Sequence, residues 1–450
     1  MYSDPKLERR AVVSLASLYI VRMLGLFMVL PVLVVLGASY EGATPALLGL
    51  ALGVYGLSQA VLQLPLGLLS DFIGRKPVIV GGLLVFALGS VTAATADSVH
   101  WLIVGRALQG AGAIAAAIMA LLTDLTSEAN RTKAMASIGA SIGVAFALSL
   151  VIGPLIASAW GLSGIFWLTA LLALLGVVVA LVVVPSPRPH PVASGGESLP
   201  ARMRSVLSNG QLLRVDAGVF VLHMLMTALF VALPTVFVER LQLPVERHWL
   251  VYLPIMVIAF VAMVPMIILA EKRRKMKSVF LIAVASLAVS LLLLSSEPHS
   301  LLLTLAFLLV FFWAFNLLEA TLPSLMSKLA PIGTKGAASG IYSTCQFLGA
   351  FTGGAVGGFL LQHLNSYWIF WLGAAMALLW LCWGWSMVVP KPLNQVLVTL
   401  NGQAFEQVET RLRALDGVVE VTYLQELSAA SLRVDSDHFQ KTKLQELGLL

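Results

Sequence analysis

The sequence predicts an all-α polytopic membrane protein, with twelve transmembrane helices in two six-helix halves and a small α+β domain after them. Three observations predict it. Hydrophobic residues make up 59% of the 450 positions and charged residues 11%, with a mean hydropathy of +0.93. A soluble domain is about 25% charged, so this chain lacks the polar surface to cover a water-facing globule. The apolar residues are gathered in long blocks, and the basic residues fall between the blocks on alternate loops.

The blocks run over residues 11–36, 46–69, 78–96, 101–123, 134–159 and 165–184, and then 212–238, 249–270, 279–295, 301–326, 336–361 and 368–389. Each is long enough to cross a hydrocarbon core about 30 Å thick with some tilt. The first follows Lys6, Arg9 and Arg10 and exceeds the apolar stretch of about 7–15 residues in a cleaved signal. It is therefore expected to remain as the first span. A polar, Pro-rich connector at 185–211 separates an N-terminal half (1–184) from a C-terminal half (212–389). Two such halves around a midplane cavity are the plan of many secondary transporters; the split alone leaves a channel or a receptor open.

Orientation follows from the basic residues. One set of alternate loops carries Arg75 and Lys76, Arg131 and Lys133, Arg202 and Arg204, Lys272 to Lys277, and Lys328 and Lys335. The opposite set holds only Arg240 and Arg247. The basic side, with both termini, is predicted to be cytoplasmic. The same placement accounts for the net charge of +6 without nucleic acid. The cysteines, Cys345 and Cys382, lie in apolar blocks with no Cys-x-x-Cys pair and no histidine cluster, so no metal or other cofactor is expected.

From Pro390 the pattern changes. Residues 395–400 alternate as a strand, 403–415 form an amphipathic helix pattern, and 418–424 and 431–435 read as strands, the first after the Asp416-Gly417 turn. A last helical stretch covers 439–447. The β-α-β-β-α order predicts a ferredoxin-like domain over 394–450. It has no phosphate loop or cysteine pair, and is expected to regulate rather than transport. Its acids, among them Glu406, Glu409, Glu420 and Glu426, suit docking near the basic run Lys272 to Lys277.

Several motifs carry chemistry. Between spans 2 and 3 stand Gly67, Asp71, Gly74, Arg75 and Lys76, with Phe72 inside the loop. Gly67 permits close helix packing, Gly74 a tight turn, and Asp71 with Arg75 an opposite-charge pair at the membrane surface. Span 4 reads Arg106-Ala-Leu-Gln109-Gly110-Ala-Gly112-Ala113 and is followed by Asp124. An arginine inside a span faces the bundle interior and marks a functional path, or else packs on a backbone carbonyl. Span 5 contains Gly139, Gly143, Ser149, Gly153 and Pro154, small residues that let helices approach.

These motifs resemble those of the major facilitator superfamily, in its drug–proton antiporter branch. Phe72 and Ser149 depart from the family pattern, which has a base and a glycine there. The resemblance implies a bacterial inner-membrane transporter, a charge latch in which Asp124 faces Arg75, and an antiporter role for Gly153 and Pro154.

Polar stripes mark the interior. Tyr55, Gln59 and Gln63 lie on one face of span 2, Tyr342 and Gln346 on one face of span 11, and Asn316 with Glu319 on span 10. With Gln109 these are expected to line a cavity; the alternative is helix-to-helix glue. Arg22, His223 and Glu319 are ionisable residues within spans. With Arg106 they are the candidates for proton coupling, since a carboxylate at such depth is costly unless protonated or paired. For Glu319 the alternative is a structural pair with Asn316 or a base, and for His223 a satisfied core histidine. Asp216 reads as a favourable charge at a helix N-terminus.

The function expected is proton-coupled export of small amphipathic molecules by alternating access, in contact with membrane lipid. Uptake by proton symport uses the same residues. A receptor that binds without transporting is the reading from a different class, and it finds no kinase, cyclase or helix-turn-helix signature. An ATP-driven pump lacks its Gly-x-x-x-x-Gly-Lys-(Ser/Thr) loop.

Overall fold

The structure, a computed structural model, describes residues 5–186, 199–296, 298–330, 334–388, 393–400, 405–424, 429–435, 439 and 444. It divides into a large helical unit, up to Glu271 and then Lys275–Met387, and a small unit from Val388 onward, with which Lys272–Arg274 are grouped.

The helical unit begins with α1 (Pro5–Phe27), α2 (Leu33–Leu36), α3 (Pro45–Ile73), α4 (Arg75–Ala94), α5 (Val99–Ala111), α6 (Ala115–Leu125) and α7 (Glu128–Val178). It continues with α8 (Leu199–Leu207), α9 (Gly210–Thr235), α10 (His248–Glu271), α11 (Met276–Leu294), α12 (Leu301–Leu329), α13 (Lys335–His363) and α14 (Ser366–Trp385). Eleven helical segments among the described residues are long and apolar enough to cross a membrane, with α5 and α6 counted as one. Helix α7 is 51 residues long, which at 1.5 Å per residue is over twice the apolar thickness of a bilayer. At Gly161 its backbone leaves the helix (φ 67°, ψ −171°), a conformation that a side chain would strain.

Other expected spans are interrupted. The first breaks at residues 28–32, where Pro31 has no N–H to continue the ladder. A Cβ at Gly153 of α7 would run into the carbonyl of Met28, so the expected span-5 motif is what lets α7 close on this break. The connector at 185–211 contains α8 in its described part.

Between α3 and α13 the backbones approach so closely that only glycine fits. A Cβ at Gly49 would sit 2.6 Å from the Cα of Gly358, and one at Gly53 2.6 Å from the Phe351 carbonyl. The outward surface is apolar, as Val261 (69% exposed), Leu302 (75%) and Leu379 (65%) illustrate. Trp101, Trp160, Trp368 and Trp385 are exposed near helix ends, where interfacial tryptophans belong. A contiguous apolar exterior on helices that satisfy their own backbone is what a bilayer selects.

The small unit has β1 (Leu393–Thr399), α15 (Phe405–Arg413), β2 (Val418–Leu424) and β3 (Ala429–Asp435). The sheet is antiparallel in the order β1-β3-β2, with Val396 opposite Leu432 and Val421 also opposite Leu432. Alternation puts Val398, Leu432 and Val434 inward with Val421 against Val408 and Leu412 of α15, while Leu397 faces out. A register shift between Val418 and Glu420 breaks the alternation in β2, and Val419 faces out although Val421 is buried. The expected last helix over 439–447 lies outside the described residues except for Phe439 and Leu444, which belong to this core.

Candidate functional site

The first site sits at the basic-loop side. Gly74 (φ 95°) separates α3 from α4 and turns the chain so that Arg75 opens α4 beside the end of α3. Arg75 Nη1 lies 2.5 Å from Asp71 Oδ1 and donates to Ser70 Oγ at 2.7 Å, while its Nε donates to Asp124 Oδ2 at 3.3 Å. One guanidinium thus ties α3 to α6. The Arg75 side chain is 19% exposed, against 46% for Asp71 and 36% for Asp124. Lys76 enters no ion pair among the described residues, Gly67 packs against Ala116, and Phe72 is 85% exposed.

The second site lies in the N-terminal helices. Arg22 of α1 and Arg106 of α5 are both fully buried. Arg22 Nη2 donates to Gln59 Oε1, and Gln59 Nε2 donates to Gln63 Oε1 at 3.2 Å. Arg106 Nη1 donates to Gln109 Oε1 at 2.7 Å and its Nε to the Ala51 carbonyl at 3.3 Å. Gln109 Nε2 in turn donates to Ser90 Oγ at 2.8 Å. The Arg106 guanidinium carbon stands 5.0 Å from the centre of the Tyr55 ring, a cation–π distance. These side chains are buried between helices in this arrangement.

The third site joins three helices. His223 of α9 places Nδ1 3.1 Å from the Val219 carbonyl. A carbonyl only accepts, so Nδ1 carries the proton and Nε2 of the neutral ring is an acceptor. Gln346 of α13 meets it there, Nε2 to Nε2 at 2.8 Å, and also reaches Glu319 Oε1 of α12 at 3.4 Å. Glu319 Oε2 lies 3.6 Å from His223 Nε2. A proton added to His223 Nε2 would therefore face the carboxylate directly, and Gln346 would have to turn its oxygen inward. Asn316 is buried with its Nδ2 unpartnered, and the buried Tyr342 hydroxyl is likewise unpartnered.

Sequence reasoning missed two features here. Phe146 of α7 gathers Phe27, Phe230, Phe312 and Phe315 at ring-centre distances of 5.0, 6.4, 6.5 and 6.0 Å. Phe315 lies 6.0 Å from the His223 ring, so this aromatic cluster reaches one side of His223. Asp216 is the other. Asn209, not Asp216, caps α9 by accepting from the N–H groups of Gln211 and Leu212. Asp216 is 3% exposed with neither carboxylate oxygen partnered among the described residues.

Helices apolar on the outside and polar at a few buried points, with an Asp71–Arg75–Asp124 cluster at one end, make a polytopic membrane protein. The family described as Major Facilitator Superfamily matches residues 15–354, and the chain belongs to it; its members are membrane transporters, not enzymes. The chain is 46% identical over 431 residues to the inner membrane transport protein YajR of Escherichia coli K12, covering 95% of each. It is 32% identical over 149 residues, 33% of this chain and 38% of the relative, to the multidrug resistance protein MdtL of Shewanella oneidensis. Among solved structures, a D-xylose–proton symporter superposes with a TM-score of 0.67 at 17% identity, over 86% of this chain and 98% of that one; this likeness is one of fold.

Proposed function

We propose that the chain exports small amphipathic molecules in exchange for protons, by alternating access, in a bacterial inner membrane. The observation that carries this is the meeting of Glu319, Gln346 and His223 on three helices. Two groups able to hold a proton share one amide, and a charge on either changes what the others can donate or accept. A proton arriving at Glu319 removes its charge and releases the outgoing substrate, with His223 as the second station. Arg22 and Arg106 set the local field. Tyr55, Gln59, Gln63, Gln109, Asn316, Tyr342 and Gln346 line the passage once the halves part. Gly153, packed on the break after α1, and Pro154 beside it support the antiport direction, and the similarity to a multidrug resistance protein is in keeping with it. Counterflow of a labelled compound in reconstituted vesicles tests transport itself; binding without movement would make the chain a receptor.

The break at Gly161 is read here as a loop between two crossings, giving twelve spans with both termini cytoplasmic. The β1-α15-β2-β3 order and the β1-β3-β2 sheet support a ferredoxin-like domain. Residues 394–450 then regulate transport by docking on the cytoplasmic face. So small a core is marginal alone, and docking would supplement it. A chain truncated after Pro392 is expected to transport with an altered rate or pH dependence. Complete loss in a truncated protein that still inserts and folds would refute regulation.

A further inference from the structure

The apolar blocks of the N-terminal half hold two guanidinium groups and no carboxylate to balance them. No Asp or Glu occurs in the six apolar blocks between residues 11 and 184, and neither Arg22 nor Arg106 has an ion pair among the described residues. Both are 0% exposed, and arginine does not give up its proton in a protein. Their partners are neutral: amides, a backbone carbonyl and an aromatic face. Donors remain unused, namely Arg22 Nε and Nη1, Arg106 Nη2 and the hydroxyl of Tyr55. Buried charge without a counter-charge is strongly unfavourable.

The unused donors belong to one neighbourhood. Arg22 bonds Gln59, and Arg106 lies over Tyr55, one turn earlier on the same face of α3. The amides of Gln59 and Gln109 hold one edge of each guanidinium, fixing its plane. Charge-assisted bonds from a fixed guanidinium fork suit a carboxylate or similar planar anion.

We propose that this cluster is the substrate's anion site: the transported molecule carries a carboxylate or comparable anionic group that Arg22 and Arg106 bind, with Tyr55 as an added donor. This rests on the transporter reading above and narrows its substrate class to organic anions with an apolar body.

The test uses the full-length purified protein and two matched series: 4-phenylbutanoate with its amide and its amine, and octanoate with its amide and its amine. Thermal unfolding is followed as each compound is titrated in low-salt buffer, with sodium chloride as a separate arm. The expected result is saturable stabilisation by the carboxylates and none by the amides or amines. Arg22→Gln should weaken apparent carboxylate binding at least tenfold, and Arg22→Lys should recover part of it. Arg106→Gln should act in the same direction; if it does not fold, the Arg22 pair alone decides. Equal or greater stabilisation by amide or amine, stabilisation by none of them, or unchanged carboxylate binding in Arg22→Gln would overturn the proposal. Stabilisation reproduced by chloride alone would overturn it too, by assigning the site to an inorganic ion. Proton movement driven by neutral compounds would persist in each of those cases if only the substrate class is wrong.

Discussion

Replacing Glu319 by glutamine is expected to reduce substrate-driven proton movement to the level of protein-free vesicles while the protein still folds. The substitution keeps the shape of the side chain and its place against Gln346, 3.4 Å from Glu319 Oε1. It removes the carboxylate that takes up the proton. It also removes the partner that a protonated His223 would face at 3.6 Å. Relieving a partly buried acid of its charge tends to stabilise, since a charged carboxylate within a span costs up to about 2.5–3.5 kcal/mol on insertion scales. Thermal unfolding should therefore stay at or above the wild-type temperature. A lumenal pH-sensitive dye in proteoliposomes reads the flux after substrate is added. Wild-type flux in Glu319→Gln would remove Glu319 from the coupling path and leave it the structural role its neighbours also permit.

Cutting the latch is expected to shift the protein toward the form open on the basic-loop side. Arg75 holds Asp71 at 2.5 Å and Asp124 at 3.3 Å, and its side chain is only 19% exposed. An exposed pair contributes about 0.2–1 kcal/mol; a shared, partly covered guanidinium should lie at or above the top of that range. About 1–3 kcal/mol of differential stability changes a two-state ratio roughly 5–150-fold, so the effect is measurable even at the low end. Spin labels on the basic-loop ends of α3 and α10 report the separation. Arg75→Ala should lengthen the main distance or enlarge a long-distance population, with Asp71→Asn following in the same direction. Distributions indistinguishable from wild type would mean that the cluster holds helix ends and nothing more.

Much of this was legible in the sequence because the relevant forces are local. Apolar runs mark the spans, since lipid demands them residue by residue. The stripe of Gln59 and Gln63 became a hydrogen bond at 3.2 Å because i and i+4 share a helix face whatever surrounds them. The strand expected at 418–424 matches β2.

What the sequence did not reveal depends on distant neighbours. That Gln346 bridges His223 and Glu319 requires knowing how α9, α12 and α13 are packed. Asp216 looked like an end-of-helix charge, yet the helix begins six residues earlier at Gly210, and burial follows from the helices packed on α9. Ser90 gave no sign that it would receive the amide of Gln109. The breaks at residues 28–32 and between α5 and α6 lie inside blocks that are apolar throughout, so hydropathy passes over them.

The central claim, that solute export is tied to proton entry, is tested most directly by imposing a pH gradient on vesicles of known orientation. Everted vesicles containing the full-length protein are made acidic inside, and a labelled compound chosen for stabilising the purified protein is added outside. The account predicts accumulation in the lumen, with proton exit that follows the solute and a collapse of both on adding a protonophore. Accumulation that is indifferent to the gradient, or that appears only when the gradient is reversed, would contradict it.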